Sequence, residues 1–337
     1  TGGGCPHILA EPQRTNVITY SEDFSQTNWA KTAQGTGIAP VVTYNNSVSP
    51  NGTLNADKIV FDTGSGTSGG DISMIQDSVS LSSGIKLTQS VYLKGSVGGE
   101  TILMRGAGGG AYQTLTLTND WVRYEFTETS IATTSYFEFG LRQGLGGVII
   151  NQTITVYVWG AQFEQGSYAT SYIPTSGSAV TRNQDIFTRD GIGSLINSTE
   201  GVLFVEMAAL ANDGTYRFIT LDDGVARING DVELNYTSTS NQIEVNYRTT
   251  GNISQCNLLY TLTDATDLNK IAFKWKVNDF ALWVNGVEVG TDGGGIVNPL
   301  GTFSAIQTER DGTQNFYGKI KQLQVYDTSL TDNQLIQ

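Results

Sequence analysis

A two-residue period governs this chain. Short runs such as DKIVFD, KLTQSVYLKG, QTLTLT, WVRYEFTET, SYFEFGLRQ and QTITVYVWGAQFE alternate apolar and polar positions and favour β-branched and aromatic residues, the pattern of strands with one buried face. Clusters of Gly, Asn, Ser and Asp separate them, as in TGSGTSGGD and RGAGGGAY. Glycine accounts for 40 of the 337 residues, well above the usual ~7%, so tight turns have ample material. A helical period is missing except in the closing SLTDNQLIQ, where a Ser or Thr cap permits a single turn. The expected fold class is all-β, as two tandem antiparallel β-sandwiches of the jelly-roll kind. No fixed-period repeat points to a solenoid or β-helix.

Residues 1–13, rich in Gly and Pro, read as an irregular leader. Strand runs then fill 14–182, and polar, small residues break the pattern in PTSGSAVTRNQDIFTRDG (175–192). A second series fills 183–337, including GVLFVEMAAL, QIEVNYRTT, NKIAFKWKV, FALWVNGVEVG and FYGKIKQLQVYD. The VNG turn puts Gly286 where a positive φ is useful. The chain opens on Thr1 rather than Met, so it is expected to be part of a longer polypeptide.

A net charge of −13 argues against partners held through phosphates, nucleic acid first among them. No run approaches the ~18 apolar residues of a membrane span, so membrane insertion is not expected. The only histidine is His7 and the only cysteines are Cys5 and Cys256, about 250 positions apart. A Ser-His-Asp triad would depend on a histidine in the leader, and a zinc site would lack the usual paired spacing.

RTNVITYSEDFSQTNWAK, NSVSPNGTLNADKI, SVYLKG, DWVRYEFTETS and TVYVWGAQFEQGSYATSYIPTSGSAVTR occur in this order over the first half, after GGGCPHILAEPQ. Together they resemble a module of phage tail and fibre proteins that is itself similar to carbohydrate-binding jelly rolls. The second half, through STEGVLFVEM, KIAFKWKVNDFALWVNGVEVG and FYGKIKQLQVYDTSLTDNQL, is similar to concanavalin A-like lectin/glucanase and laminin-G-like domains. The resemblance implies a non-enzymatic structural and adhesion protein of the virion surface. It would be a tail-fibre or receptor-binding component, a homotrimer touching host cell-surface glycans and other virion proteins. Two alternatives remain open: a capsid or tail decoration protein that binds only virion proteins, and a polysaccharide-degrading enzyme.

Glycosidases need two carboxylates flanking the scissile bond. Glucanases of this fold carry Glu-x-Asp-x-x-Glu on one strand, and the sequence has no such run. Sugar binding wants aromatic faces beside polar groups. Trp29, Trp121 and Trp159 fall inside the first-half motifs and read as core. In the second half Tyr216, Tyr236, Tyr247 and Trp283 are candidates for one sheet face, with Arg217, Arg248 and Arg310 as partners. Tyr216, Tyr247, Trp283 and Arg310 form the resulting candidate site. Arg310 and Asp311 sit in the loop TERDGTQN, and alternation in DFALWVNG puts Trp283 opposite Phe280, Leu282 and Val284. The resemblance also implies a calcium ion at the sandwich rim. LDDG (221–224), GD (230–231) and GTDGGG (290–295) offer acids beside turns, though Asp-Gly is equally ordinary turn chemistry.

Overall fold

The computed structural model describes residues 7–66, 70–106, 111–144, 152–225, 227–310 and 312–336. Cys5 and Asp311 lie outside the described residues. The fold is all-β, with antiparallel sheets throughout. The chain divides into two compact units: one is Gln13–Asn183, and the other joins the leader to Gln184–Gln337.

The leader is a first correction to the sequence reading. Ile8–Ala10 forms strand β1, and Ala10 is fully buried in the core of the Gln184–Gln337 unit. Without β1, one edge of that unit's sheet would expose unpaired backbone groups. Three apolar residues suffice to cover it, despite their Gly- and Pro-rich surroundings.

In the Gln13–Asn183 unit the strands are β2 (Arg14–Asn16), β3 (Ala30–Gln34), β4 (Ile38–Val48), β5 (Leu54–Asp62), β6 (Ile72–Ser80) and β7 (Lys86–Gly95). They continue with β8 (Thr101–Arg105), β9 (Tyr112–Thr116), β10 (Val122–Thr129), β11 (Thr134–Arg142), β12 (Thr153–Gln165) and β13 (Val180–Arg182). Two five-stranded sheets, ordered β10-β7-β12-β5-β4 and β3-β6-β11-β8-β9, enclose the core, and β2 pairs with β13. Trp29 lies at its centre, with ring centroids 4.6 Å from Phe24 and 5.6 Å from Phe137. Buried Asp57 accepts the backbone N–H groups of Phe24 and Asn45, each at 2.8 Å. Burial nevertheless pushes its carboxyl up to about 6, and does the same to Asp77.

The other unit continues with β14 (Thr188–Arg189), β15 (Glu200–Ala209), β16 (Arg217–Asp222), β17 (Asp231–Tyr236), β18 (Gln242–Thr249) and β19 (Ile253–Thr261). After these come β20 (Asn269–Lys276), β21 (Phe280–Val284), β22 (Val287–Asp292), β23 (Ala305–Gln307), β24 (Gly318–Tyr326) and the single-turn helix α1 (Asp332–Leu335). Two six-stranded sheets, β1-β24-β15-β20-β21-β22 and β14-β23-β16-β17-β18-β19, pack around one apolar cluster. Asn285 and Gly286 join β21 to β22 with φ of 51° and 79°, the two positive values of a type I′ hairpin. Thr331 begins α1 with a capping box closed by Gln334. Among the described residues no helix is long and apolar enough to cross a membrane.

Candidate functional site

The four residues picked from the sequence do not form one site. Tyr247 has the same parity on β18 as Ile243 and Val245, so it points into the core and is fully buried. Its hydroxyl donates to the Ser198 carbonyl at 2.6 Å and accepts the Asn298 N–H at 2.8 Å, and burial pushes it up to about 12. Tyr236 is a core residue for the same reason of parity. Trp283 does lie opposite Phe280, Leu282 and Val284, but its face is covered: it packs with Val202, Ala272, Ala281 and Leu335 of α1 and is only 6% exposed. The apolar tail residues Leu330 and Leu335 close over that face, an effect strand alternation alone does not reveal.

Tyr216 and Arg310 do come together, around Phe218. The Tyr216 and Phe218 rings stack with centroids 6.0 Å apart, and the Arg310 guanidinium lies 4.8 Å from the Phe218 centroid. Arg310 also pairs with Glu233 at 3.1 Å, and Arg248 reaches Glu233 and, at 3.5 Å, Asp231. Tyr216 is exposed, whereas Phe218, Thr220, Asp231, Glu233, Asn235 and Asn246 are buried. This face of β16, β17 and β18 is thus a closed polar network. Arg217, the remaining arginine candidate, is buried and paired with Asp213 at 2.8 Å.

The acids expected to hold calcium serve other ends. Asp222 accepts the Gly224 N–H at 2.7 Å and the Thr220 hydroxyl at 3.1 Å, with burial raising its carboxyl above the ordinary value. Asp223 accepts the Val225 N–H at 2.9 Å, Asp292 accepts the Gly294 N–H at 2.9 Å, and Asp231 faces Arg248. Among the described residues no group of three or more His, Cys, Asp or Glu could hold a metal ion. Cys256 is buried in the core, which pushes its thiol up to about 12, so it is a poor ligand and nucleophile.

The open aromatic face belongs to the other unit, and Trp121, read as core from the sequence, is part of it; Trp159 shares its side of the sheet but is buried, as the sequence reading had it. On β12, Ile154, Val156 and Val158 point into the core, so Tyr157 and Trp159 point out. On β7, Leu87, Val91 and Leu93 point in, so Tyr92 and Lys94 point out. The register sets Thr43, Lys58, Tyr157 and Lys94 side by side on β4, β5, β12 and β7. Trp121, just before β10, completes that row, and the next row holds Trp159, Tyr92 and Arg123. The Lys94 ammonium lies 5.1 Å from the Tyr157 ring centroid and 5.6 Å from that of Trp121. Trp121 donates its indole N–H to the Val48 carbonyl at 3.0 Å, joining residues at opposite edges of the five-stranded sheet, so the sheet curls on this side.

The second row is anchored more deeply. Trp159 packs 5.4 Å from Tyr92 and 4.5 Å from Tyr172, and it is only 5% exposed, with no partner for its indole N–H. Arg123 lies 5.7 Å from the Tyr92 centroid and donates to the Thr170 carbonyl at 2.7 Å and the Ser90 hydroxyl at 2.8 Å. Tyr92, Lys94, Trp121 and Tyr157 are half-buried. The result is a curved, rigid strip of aromatic faces edged by cations. The sequence did carry its signal: the parity of each aromatic relative to the Ile, Val and Leu beside it in QTITVYVWG and KLTQSVYLKG.

The family model Laminin_G_3, described as the concanavalin A-like lectin/glucanases superfamily, matches residues 202–336. A search of curated proteins gave no match. Among solved structures, the chain is similar to the Ruminococcus gnavus IT-sialidase CBM40 bound to alpha2,3 sialyllactose, at 16% identity over 44% of this chain and 96% of that one, with a TM-score of 0.35. It is also similar to a CBM4 structure at 15% identity over 38% of this chain and 87% of that one, TM-score 0.27. A third likeness is to a lichenase from a mouse hindgut metagenome, at 20% identity over 48% of this chain and 73% of that one, TM-score 0.28.

Proposed function

We propose that this chain is a non-catalytic glycan-binding adhesion protein, and that it serves as a tail-fibre or receptor-binding component of a phage particle. The observation that carries glycan binding is the outward, half-buried strip of Trp121, Lys94, Tyr157 and Tyr92 on a curved sheet. Aromatic faces take up the C–H surfaces of a pyranose, and flanking cations and hydroxyls engage its polar groups. The lectin-like match of residues 202–336 supports the same class. The virion setting rests on the ordered first-half motifs that resemble phage tail modules, and a homotrimer would multiply weak contacts through avidity.

The arrangement of acids supports a binding rather than a hydrolytic role. Glu233 lies between Arg248 and Arg310, and Glu244 accepts from Asn257 and Asn235, so neither stands beside a free carboxylate across an open cleft. Binding of the purified chain to a broad glycan array, alongside Tyr157→Ala, tests the reading. Signal on a defined sugar class that weakens in the variant is expected. Silence across the array from a folded protein would overturn glycan binding and turn attention to a decoration protein held only by other virion proteins.

A further inference from the structure

The aromatic strip carries cations that the rest of the fold leaves without counter-ions. Across the molecule, acids outnumber Lys and Arg 32 to 19, and most arginines near the described acids are paired with one. Lys58, Lys94 and Arg123 depart from this pattern. Among the described residues none of the three is in an ion pair, although all lie on one sheet face within two adjacent rows. Lys58 and Lys94 are direct cross-strand neighbours of Tyr157, one on each side, so their stems leave the sheet about 10 Å apart. Arg123 already donates to Thr170 and Ser90, which fixes its planar group in place.

Three acids share this face: Asp62 on β5, Glu125 on β10 and Glu164 on β12, opposite Thr88. Asp62 accepts the N–H of Gly64 at 2.7 Å, Glu125 is exposed at the sheet edge, and buried Glu164 accepts from Gln162 and Thr170 and lies 3.7 Å from Arg14. None is paired with the lysines of the aromatic row. In a chain of net charge −13, three unpaired cations gathered around half-buried rings are a local inversion of sign. An ammonium above a ring face is attracted to it, but that attraction does not neutralise the charge. The row therefore carries positive charge that the acids of its own face do not neutralise.

We infer that this face binds an acidic saccharide, with a carboxylate or sulfate held between Lys58 and Lys94 while a sugar ring lies on Tyr157 and Trp121. This rests on the glycan-binding reading above and narrows it to one chemical class. The acidic chain favours such a ligand in one further respect: repulsion by the surrounding surface disfavours polyanions that cannot also use the aromatic rings.

The test uses a panel of anionic oligosaccharides, each beside its neutral counterpart: an oligogalacturonide and its methyl ester, a sialylated glycan and its asialo form, a sulfated oligosaccharide and its desulfated form. Binding is measured by calorimetry with the intact chain, with Lys94→Gln and with Trp121→Ala, both checked for an unchanged thermal transition. At least one acidic member is expected to bind about tenfold or more tightly than its neutral counterpart, the scale of one charge-assisted hydrogen bond. Lys94→Gln is expected to erase that preference by weakening the acidic form far more than the neutral one, and Trp121→Ala to weaken both forms. The preference should also shrink as salt rises, since screening acts within about 10 Å at 0.1 M. The carboxylate and sulfate arms identify which acid group is used. Equal binding of every charged and neutral pair would overturn the acidic assignment and leave glycan binding standing. No binding of any saccharide would overturn both. Equal binding of polyglutamate, unaffected by Trp121→Ala, would also overturn it, because charge alone would then account for the affinity.

Discussion

On β7 and β12 the outward positions hold Tyr92, Lys94, Tyr157 and Trp159, whereas on β17 and β18 they hold Asp231, Glu233, Asn246 and Arg248. Both sets occupy one face of an antiparallel sheet whose other face is packed core. In the first, Tyr92, Lys94 and Tyr157 are half-open, Trp159 is buried against Tyr172, and among the described residues no acid pairs with Lys94. In the second, the polar groups are buried and neutralise one another through Glu233, Arg248 and Arg310. A sandwich needs only one face of each sheet for stability, so its outer faces are free to diverge. One leaves rings and cations accessible, the other is a closed network.

The largest expected effect separates inside from outside in the aromatic unit. Trp29→Ala, at the fully buried centre, should cost about 3–5 kcal/mol in denaturant unfolding. Trp121→Ala should cost under about 1 kcal/mol there; equal costs would break the distinction between core and surface tryptophans. Next in size, Glu233→Ala removes the carboxylate shared by Arg248 and Arg310 and should cost about 3 kcal/mol, with glycan binding untouched. A loss of glycan binding on that change would move the ligand to the polar face and reverse the comparison. Tyr247→Phe deletes the hydroxyl that joins Ser198 to Asn298, for an expected loss of about 1–3 kcal/mol in the same unfolding assay.

A further effect sharpens the contrast through pH. Asp57 and Asp77 have carboxyls raised from 3.8 to about 6 by burial, and both belong to the aromatic unit. Folded protein therefore holds protons that the unfolded chain has released between about pH 4 and 6. Stability falls as pH rises through that window and levels off above it. Calorimetric scans should show Tm dropping by several degrees from pH 4.5 to 6.5, since each raised carboxyl is worth about 1–2 kcal/mol across that span. Asp77→Asn should flatten part of that slope, and an unchanged slope would remove Asp77 from the account.

Strand periodicity, the turn chemistry of VNG and the closing helical turn were all legible in the sequence, because each is set within a few neighbouring residues. What defeated the site reading was longer in range. Tyr247 looks like any strand tyrosine until its parity is counted against Val245 and Ile243. Trp283 is correctly placed on the outward side by alternation, yet residues 330–335 close over it, and no local pattern says where a tail will pack. Membership of the first-half motifs makes Trp121 and Trp159 read as core; Trp159 is indeed buried, while Trp121 is half-buried, and Val156 and Val158 assign the opposite side of β12 to Tyr157 and Trp159. The Glu233 network joins β17, β18 and the loop that carries Arg310, a meeting of residues up to 77 positions apart that spacing cannot show.

Strand β1 pairs with Gly318–Ile320 of β24, and Glu11 and Asp185 exchange hydrogen bonds where the chain leaves and re-enters that sandwich. Topologically, residues 13–183 are then an insertion within a host domain, and the β2–β13 pairing brings the two ends of the insert together. Such an insert has the topology of an exchangeable cassette: it can be replaced through one pair of neighbouring junctions without recutting the host's core. The same topology commits the host to its first residues, because a chain beginning after Pro12 would leave the β24 edge bare and open to pairing with another molecule.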